Sequence, residues 1–588
     1  MKKSSKNKNR QIRKKPIRSH PAVRLGRPRK WIQARFPDGR IFETQPDTRL
    51  AAIFAVACAD SCSPVIAAIV NGSLCELTAT LKVDSDVVPL TLSHPEGVRI
   101  YRRSLSFLLL AACAEIFPEA EIFIEHSATT AGAYFCELSG RDPFSQEELA
   151  AIENRMREIV EEDAPIVSTQ VPLQEAIELF RSRGEDDMVR LLTSRKADKI
   201  TLYTLRNRQD YFQGFMAAST GCLKYFALHP YSTGFMLQFP HQSRPTELSP
   251  IAPYPKLFAV FEEAGQWLDR LGIRSAGALN EAITAGRLSE ISLVAEALHE
   301  ARIAAIAADI ISLRRRIKFI LVAGPSSSGK TTFSRRLAVQ LLANGLRPFP
   351  ISLDDYFFSR DKTPRDSKGE LNYETLQALD LDLFREQLSK LGKGQKVQMP
   401  RYDFATGERV PGAVAKLLSD DLLIIEGIHG LNPRLIEGLP HESFYRVYVS
   451  ALTQLNLDRH NRINTTDCRL IRRIVRDAAR RGYNATQTLQ RWNSVVSGEK
   501  QNIFPFQENS DAIFNSALVH ELSVLRPLAD PLLLQVRYDT PQYLNAVRLL
   551  ELLQWFHQAP SDFVPSNSIL REFIGNSMLE TFWLWPKT

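Results

Sequence analysis

The stretch from Ile317 to Leu337 reads IKFILVAGPSSSGKTTFSRRL. Residues 319–323 are apolar and partly β-branched, as in a buried strand, and a helical pattern follows Thr331. Between them lies GPSSSGKT, which matches the phosphate-binding pattern G-x-x-x-x-G-K-Ser/Thr. Glycine at both ends lets the backbone close around an anion, and the helix that follows directs unpaired N–H groups at it. We therefore predict a nucleotide-phosphate site rather than a chance match in a serine-rich turn.

Each residue of this loop has an expected role. Lys330 should reach the β and γ phosphates, and the hydroxyl of Thr331 should bind Mg²⁺. The expected cofactors are thus ATP and Mg²⁺. The residues predicted to contact ATP here are Gly324, Pro325, Ser326, Ser327, Ser328, Gly329, Lys330, Thr331 and Thr332.

Composition sets the broad class of the protein. A chain of 588 residues needs several domains, and its 44% apolar and 24% charged content is that of a soluble globular protein. It has no apolar run of membrane-spanning length and no apolar signal segment at its start. We expect a cytoplasmic protein without membrane contact.

The net charge of +8 comes from the first 30 residues, which hold 13 of the 74 Lys and Arg and none of the 66 Asp and Glu. The rest of the chain therefore carries 61 basic against 66 acidic residues, a net charge of −5. Such a tail cannot bury a core, so it should be disordered. It could contact RNA weakly and without sequence preference, or it could simply be solvated.

The seven cysteines are odd in number and contain no C-x-x-C pair. This pattern argues against a disulfide framework or a zinc ribbon, and we expect no zinc.

Two further apolar segments end in carboxylates. RPFPISL is followed by Asp354-Asp355, and LLII is followed by Glu426. Open α/β sheets place reactive groups at the carboxyl ends of their strands. Asp354 fits a base that deprotonates an attacking hydroxyl, with a helix cap or a water-mediated Mg²⁺ ligand as the alternative. Glu426 fits an acid that holds Mg²⁺, partly through water.

Four arginines recur at i, i+3, i+4 and i+7, which places them on one helix face. Like charges repel, so the face needs an anion, and the guanidinium fork suits phosphate. A solvated basic face is the alternative. The four residues are Arg469, Arg472, Arg473 and Arg476.

The ordered motifs GPSSSGKTT, ISLDDYFF, LNYETLQALDLDLF, PRYDFATGER, LLIIEGIHGLNP and RLIRRIVRD resemble the uridine kinase and phosphoribulokinase family. The resemblance implies that Asp354 is the catalytic base with Lys330, and that Arg473 and Arg476 contact ATP. It also implies that Glu374 and Tyr402 line the nucleoside pocket, together with Arg469 and Arg472 on the substrate side. Two departures weaken uridine as the substrate, because Glu374 stands for an aspartate and Gly407 for a base-contacting histidine.

The N-terminal half resembles modules of threonyl-tRNA synthetase. FPDGR, a helix and the VNG turn resemble its ubiquitin-like TGS domain, and RRSLSFLLLAACAEIFPEAEIFIEH resembles its second additional, editing domain. The metal-binding histidines and cysteine of that domain correspond to Arg103, Phe107, Phe212 and Met216. The resemblance thus implies a module that kept its shape and lost its metal.

We expect a multidomain chain of α/β and α+β units, in which a P-loop kinase with a parallel sheet flanked by helices follows the two synthetase-like modules. The predicted layout is a tail at 1–30, a TGS-like domain at 31–97, an editing-like domain at 98–247, a helical connector at 248–316, the kinase at 317–530 and a helical extension at 531–588.

The sequence predicts ATP- and Mg²⁺-dependent phosphoryl transfer to a small nucleoside or sugar, with a nucleoside 5′-OH as the expected acceptor. The alternative is an RNA-associated regulator that uses ATP as a conformational switch. A GTPase is disfavoured because the chain has no N-K-x-D motif. The acceptor, the oligomeric state and the task of the N-terminal half are not determined by the sequence, nor is the choice of base between Asp354 and Asp355.

Overall fold

The computed structural model describes residues 30–59, 63–128, 132–365, 369, 371–403, 406–418, 421–453 and 455–582. The predicted basic tail, except for its last residue, lies outside these ranges. Within them, no helix has both the length and the apolar character needed to cross a bilayer.

The first module is a small mixed sheet covered by one helix. Its main sheet has the order β2-β1-β7-β4-β5, with β1 parallel to β7. The predicted Asn71-Gly72 hairpin is present, and both residues have positive φ as a tight two-residue turn requires. The elements are β1 (Ile32–Arg35), β2 (Ile41–Thr44), β3 (Thr48–Arg49), α1 (Leu50–Ala57), β4 (Ala67–Val70), β5 (Ser73–Glu76), β6 (Thr80–Leu81) and β7 (Ser85–Leu90).

The second module packs a long helix against two antiparallel sheets. One sheet has the order β13-β14-β9-β8 and the other β10-β11-β12. The elements are α2 (Pro95–Ile116), β8 (Glu121–Ala128), β9 (Ala133–Ser139), α3 (Gln146–Glu161), β10 (Ile166–Pro172), α4 (Leu173–Ser182), α5 (Asp186–Thr193), β11 (Lys199–Leu205), β12 (Arg208–Asp210), β13 (Ala227–Tyr231) and β14 (Gly234–Gln238).

Three helices lie between this module and the second half of the chain, within the range 248–316 for which we predict a helical connector. They are α6 (Pro255–Leu271), α7 (Ala276–Thr284) and α8 (Leu288–Ser312). Arg336 of the following domain pairs with Glu296 and Glu300 of α8, which ties the connector to the phosphate-loop helix.

The third unit contains a five-stranded sheet of order β16-β19-β15-β20-β21, in which all neighbouring strands are parallel. β15 is buried along its whole length, as its apolar sequence requires. The predicted fold, a P-loop kinase with a parallel sheet flanked by helices, is confirmed. The elements are β15 (Phe319–Ala323), α9 (Lys330–Ala343), β16 (Arg347–Ser352), α10 (Leu381–Gly392), β17 (Val397–Asp403), β18 (Glu408–Ala415), β19 (Asp421–Glu426), β20 (Phe444–Ser450), α11 (Thr465–Arg480), α12 (Ala485–Asn502) and β21 (Ala512–Asn515).

The C-terminal part packs back onto this domain. Ile569, Leu570 and Phe573 are buried in the same apolar core as β15 and α9. Its helices are α13 (Glu521–Leu533), α14 (Tyr543–Leu553) and the short α15 (Arg571–Ile574).

Candidate active site

The phosphate loop joins β15 to α9, and its two glycines are required by the geometry. A Cβ on Gly324 would lie 1.9 Å from the carbonyl oxygen of Val449. Gly329 has a φ of +85°, in the left-handed region that other residues rarely adopt. The loop therefore turns tightly enough for its N–H groups to surround an anion.

Lys330 lies inside this loop. Its Nζ donates hydrogen bonds to the carbonyl oxygens of Gly324 at 2.9 Å and Pro325 at 3.0 Å. Burial lowers the pKa of Lys330, and the carboxylates of Glu426, Glu572, Asp354 and Glu499 oppose that shift. The ammonium group of Lys330 thus lies where several carboxylates converge.

A carboxylate and a hydroxyl meet at the ends of β19 and the loop. Thr331 Oγ1 donates to Glu426 Oε1 at 3.1 Å, and Glu426 Oε2 is buried without a hydrogen-bond partner among the described residues. Burial raises the pKa of Glu426 to about 7, against the opposing effect of Lys330. An oxygen-only donor set with a free carboxylate oxygen fits Mg²⁺, so these two residues can hold the expected ion.

Asp354 and Asp355 follow β16 in a short 3₁₀ turn and have different partners. Burial raises the pKa of Asp354, and Lys330 is the first group that opposes the shift. Asp355 Oδ1 instead accepts the backbone N–H of Tyr402 at 3.1 Å, on β17. Asp355 is therefore engaged in holding β17, while Asp354 shares the electrostatic environment of Lys330.

The four arginines of α11 are held by the protein in two ways. Arg469 and Arg472 are almost wholly buried, at 1% and 0% exposure. Arg469 forms two hydrogen bonds to Glu499 of α12, at 2.6 and 2.8 Å, and Arg472 pairs with Glu521. Because carboxylates of the protein neutralise both, their assignment to the substrate stays a prediction.

Arg473 and Arg476 share a carboxylate of their own helix, and Arg473 also contacts the phosphate loop. Arg473 Nη1 donates to Ser326 Oγ at 2.8 Å. Asp477 is the anion that lies beside both, 3.3 Å from Arg473 and 3.0 Å from Arg476. Asp477 of the same helix thus neutralises part of the positive charge of this arginine face. The contact of Arg473 and Arg476 with ATP stays a prediction.

Glu374 and Tyr402 are the residues predicted to line the acceptor pocket, and that role stays a prediction. Glu374 packs so closely on α12 that a Cβ on Gly498 would lie 2.3 Å from its own Cβ. Burial, followed by the nearby Glu499, raises the pKa of Glu374 to about 7. The hydroxyl of Tyr402 lies 3.5 Å from that of Tyr373. Tyr402 and Tyr373 both also contact the ring of Phe357.

Gly407 cannot be replaced simply by a larger residue. Its φ is +76°, and a Cβ there would lie 2.6 Å from Nε of Arg360. A base-contacting histidine at this position would require the Arg360 side chain to move. The Arg360 side chain therefore lies beside the position at which the resemblance implies a base-contacting histidine.

Two carboxylates at the site were not anticipated from the sequence. Glu499 Oε1 accepts the N–H of Ser326 at 2.8 Å, and Glu572 Oε2 accepts both the N–H and the hydroxyl of Thr332. Glu499 lies in an unremarkable helical sequence. Glu572 lies in PSNSILREFIGNS, a segment in which the sequence indicated no chemistry.

Of the four positions that the resemblance assigns to the synthetase metal ligands, three are occupied by buried apolar residues that pack in the same core. The rings of Phe107 and Phe212 are 5.1 Å apart, and Met216 is fully buried beside them. Arg103 donates to the carbonyl oxygen of Phe215. Phe107, Phe212 and Met216 thus belong to one apolar core.

Fold and site together define a P-loop kinase domain joined to a synthetase-like N-terminal half. Residues 319–523 match the model of the family described as "Phosphoribulokinase / Uridine kinase family". This is about a third of the chain.

The N-terminal region matches curated threonine–tRNA ligases. The chain is 32% identical over 198 residues to that of Herminiimonas arsenicoxydans and 31% identical over 198 residues to that of Janthinobacterium sp. (strain Marseille). Each match covers 34% of this chain and 31% of the relative. The chain therefore spans less than a third of the length of these ligases.

Among solved structures, the chain is similar to a protein from Bacillus stearothermophilus described as "a Possible Uridine Kinase", with 18% identity and a TM-score of 0.26 over 37% of this chain and 98% of that one. It is also similar to D-glycerate 3-kinase from Cryptococcus neoformans, with 17% identity and a TM-score of 0.27 over 35% and 89%.

Proposed function

We propose that the protein transfers the γ-phosphate of ATP, with Mg²⁺, to a hydroxyl of a small sugar-containing substrate, with a nucleoside 5′-OH as the expected acceptor. The observation that carries this proposal is the convergence of Lys330, the Thr331–Glu426 pair and Asp354 at the carboxyl ends of three neighbouring parallel strands. Catalysis of phosphoryl transfer depends mainly on positioning and charge neutralisation.

The residues of the loop have distinct tasks in this proposal. Bound MgATP supplies the phosphoryl group and neutralises part of its charge. The ammonium group of Lys330 exchanges its hydrogen bonds to the carbonyl oxygens of Gly324 and Pro325 for bonds to phosphate oxygens. A charged acceptor binds an ammonium more strongly than a neutral carbonyl does. Thr331 and Glu426 hold the ion and fix its position relative to β15.

Asp354 is the proposed base. As the acceptor oxygen forms its bond to the γ-phosphorus, the bond between that phosphorus and ADP breaks, and the hydroxyl proton passes to Asp354. Burial raises the pKa of Asp354, which makes the carboxylate a better proton acceptor than an exposed aspartate.

The residues predicted to line the acceptor pocket favour a ligand with hydroxyl groups, but they do not favour one particular nucleobase. Glu374 can accept hydrogen bonds from ribose or sugar hydroxyls, and Tyr402 offers an aromatic surface. Because Gly407 has no side chain, another residue would have to form the hydrogen bonds to a pyrimidine base. Sugar acceptors are therefore part of the proposal.

The test is ADP release from MgATP against a panel of nucleosides and sugars, using the full chain. Stimulation by one member, lost in Asp354→Asn, is the expected result. ADP release that no nucleoside or sugar increases would contradict the proposal, and the same assay with Asp355→Asn identifies which aspartate acts.

A second candidate function, RNA-associated regulation, rests on the match of the N-terminal region to proteins named as tRNA ligases. It predicts salt-dependent RNA affinity that falls when residues 1–30 are deleted. Affinity that is absent, or indifferent to that deletion, would remove its support.

A further inference from the structure

Four cations from two domains meet at the junction of the editing-like module and the kinase domain. They are Arg99 and Arg102 of α2, Arg462 just before α11, and Lys500 of α12. The three arginines are half-buried and Lys500 is exposed, so solvent reaches the group. We call this group the basic recess.

Two of the guanidinium groups lie on neighbouring aromatic rings. Arg102 lies 4.2 Å from the ring centre of Phe239, and Arg462 lies 5.1 Å from that of Tyr134. The two rings are 4.8 Å apart. Burial lowers the pKa of both arginines, and Tyr134 opposes that shift in each. The two cations thus lie on an adjoining pair of aromatic rings.

Carboxylates do not balance the basic recess. Arg99 pairs with Glu96. Arg462 Nε donates to the backbone carbonyl oxygen of Glu125 at 3.2 Å, but the carboxylate of Glu125 pairs with Arg274 at 3.0 Å. In the part of the chain that the structure describes, no ion pair is formed by Arg102, Arg462 or Lys500. Three positive charges therefore remain without a matching carboxylate.

Two donors in the recess are also unused. Arg102 Nε and Arg462 Nη1 are buried and have no hydrogen-bond partner among the described residues. Burial lowers the pKa of Lys500, and Arg102 and Arg99 lower it further, which shows that these cations repel one another. A buried donor without a partner and a group of like charges both destabilise a folded protein, and an anion would relieve both.

We propose that the basic recess is a second anion site, which binds a phosphate group of a small molecule between Arg102, Arg462 and Lys500. Guanidinium forks bind phosphate oxygens in pairs, and an ammonium adds a point charge. The site is separate from the phosphate loop and does not depend on the proposed kinase activity.

Inorganic pyrophosphate is a suitable probe, with isothermal titration calorimetry of the full chain as the measurement. Because the phosphate loop also binds phosphate, the titration is made in the Lys330→Ala variant, which weakens the loop site. We expect one remaining site, and at least tenfold weaker binding when Arg102→Gln is added. Absence of binding in Lys330→Ala, or equal binding after Arg102→Gln, would overturn the proposal.

Arg157→Gln is a matched control, since Arg157 also lies on an aromatic ring, 4.8 Å from Phe226, but has its own carboxylate in Glu153. It should leave pyrophosphate binding unchanged; an equal loss in this variant would count against the site.

Lys500→Gln tests the recess without disturbing a buried residue. In a purely structural cluster, this variant would only relieve the repulsion among the cations, and pyrophosphate would raise the Tm of the variant and of the parent protein equally. In a binding site, neutralising Lys500 should raise the Tm of the ligand-free protein and reduce the Tm increase that pyrophosphate causes. An undiminished pyrophosphate effect in Lys500→Gln would overturn the proposal, whatever the Tm of the ligand-free protein, as would a recess that binds RNA but not pyrophosphate.

Discussion

The carboxylate of Glu572 caps the phosphate-loop helix through Thr332. Oε2 of Glu572 accepts the backbone N–H of Thr332 at 3.1 Å and its hydroxyl at 2.9 Å. Ile569 of the same segment packs on Gly329, where an added Cβ would lie 2.4 Å from its Cγ2. The helix N-terminus thus already holds an anion from the end of its own chain, and a phosphate that uses these donors must displace it.

Replacing Glu572 by glutamine should therefore tighten nucleotide binding. A negative group near a helix N-terminus contributes about 0.3–2 kcal/mol, so removing this competitor should lower the Kd for ATP by roughly 2- to 30-fold. Isothermal titration calorimetry with ATP measures the change directly. Weaker binding in Glu572→Gln would mean that the carboxylate assists the nucleotide instead of competing with it.

Glu580→Gln is the matched control for that measurement. Glu580 lies in the same C-terminal segment but pairs with Arg480 of α11 instead of with Thr332. It should leave the Kd for ATP unchanged while removing the same charge.

The phosphate loop and its sheet could be predicted because their signals are local. Residues 319–331 contain the strand, the turn and the start of the helix in one continuous pattern, and Glu426 follows its own apolar strand directly. Neighbouring parallel strands bring these local patterns together at one edge, so no contact between distant residues had to be guessed.

Glu499 and Glu572 could not be predicted, because their roles arise from tertiary contacts. Glu499 lies 173 residues from Ser326, whose N–H it accepts, and Glu572 lies 240 residues from Thr332. In the sequence alone, a glutamate that makes such a contact cannot be told apart from a glutamate that faces solvent. The arginine face of α11 did indicate that anions were needed, but Glu499, Glu521 and Asp477 had to be seen to know that the protein provides several of them.

Asp354→Asn should lower turnover while leaving ATP affinity nearly unchanged. General base catalysis contributes about 10²- to 10⁴-fold, so kcat should fall by roughly 10²-fold or more. Steady-state kinetics with the best acceptor, together with ATP titration, separates the two effects. Asp355→Asn is the companion variant, since Asp355 holds the N–H of Tyr402; a larger fall in kcat there than in Asp354→Asn would reverse the assignment.

Mg²⁺ affinity should rise with pH around neutrality. Burial raises the pKa of Glu426 to about 7, and a protonated carboxyl is a poor Mg²⁺ ligand. Protons and Mg²⁺ then compete below pH 7, so the Mg²⁺ concentration for half-maximal activity should fall from pH 6 to pH 8. Glu426→Gln should raise that concentration and remove most of its pH dependence. An unchanged profile in Glu426→Gln would exclude Glu426 as the titrating group.

Breaking the Arg469–Glu499 pair by a single substitution should lower the free energy of unfolding more than replacing both residues together. Both side chains are buried and form two hydrogen bonds, so Glu499→Leu leaves an unpaired buried guanidinium. Such a loss destabilises a protein by about 3–5 kcal/mol, which should lower the Tm of the kinase domain by roughly 6–20 °C in calorimetry. The double variant Arg469→Met with Glu499→Leu should recover much of this loss, because apolar pairs of similar volume often replace buried ion pairs without penalty. The cycle is completed by the single variant Arg469→Met. If the stability losses of Arg469→Met and Glu499→Leu simply add in the double variant, the two residues act independently, and the pair does not hold α11 to α12 as a unit.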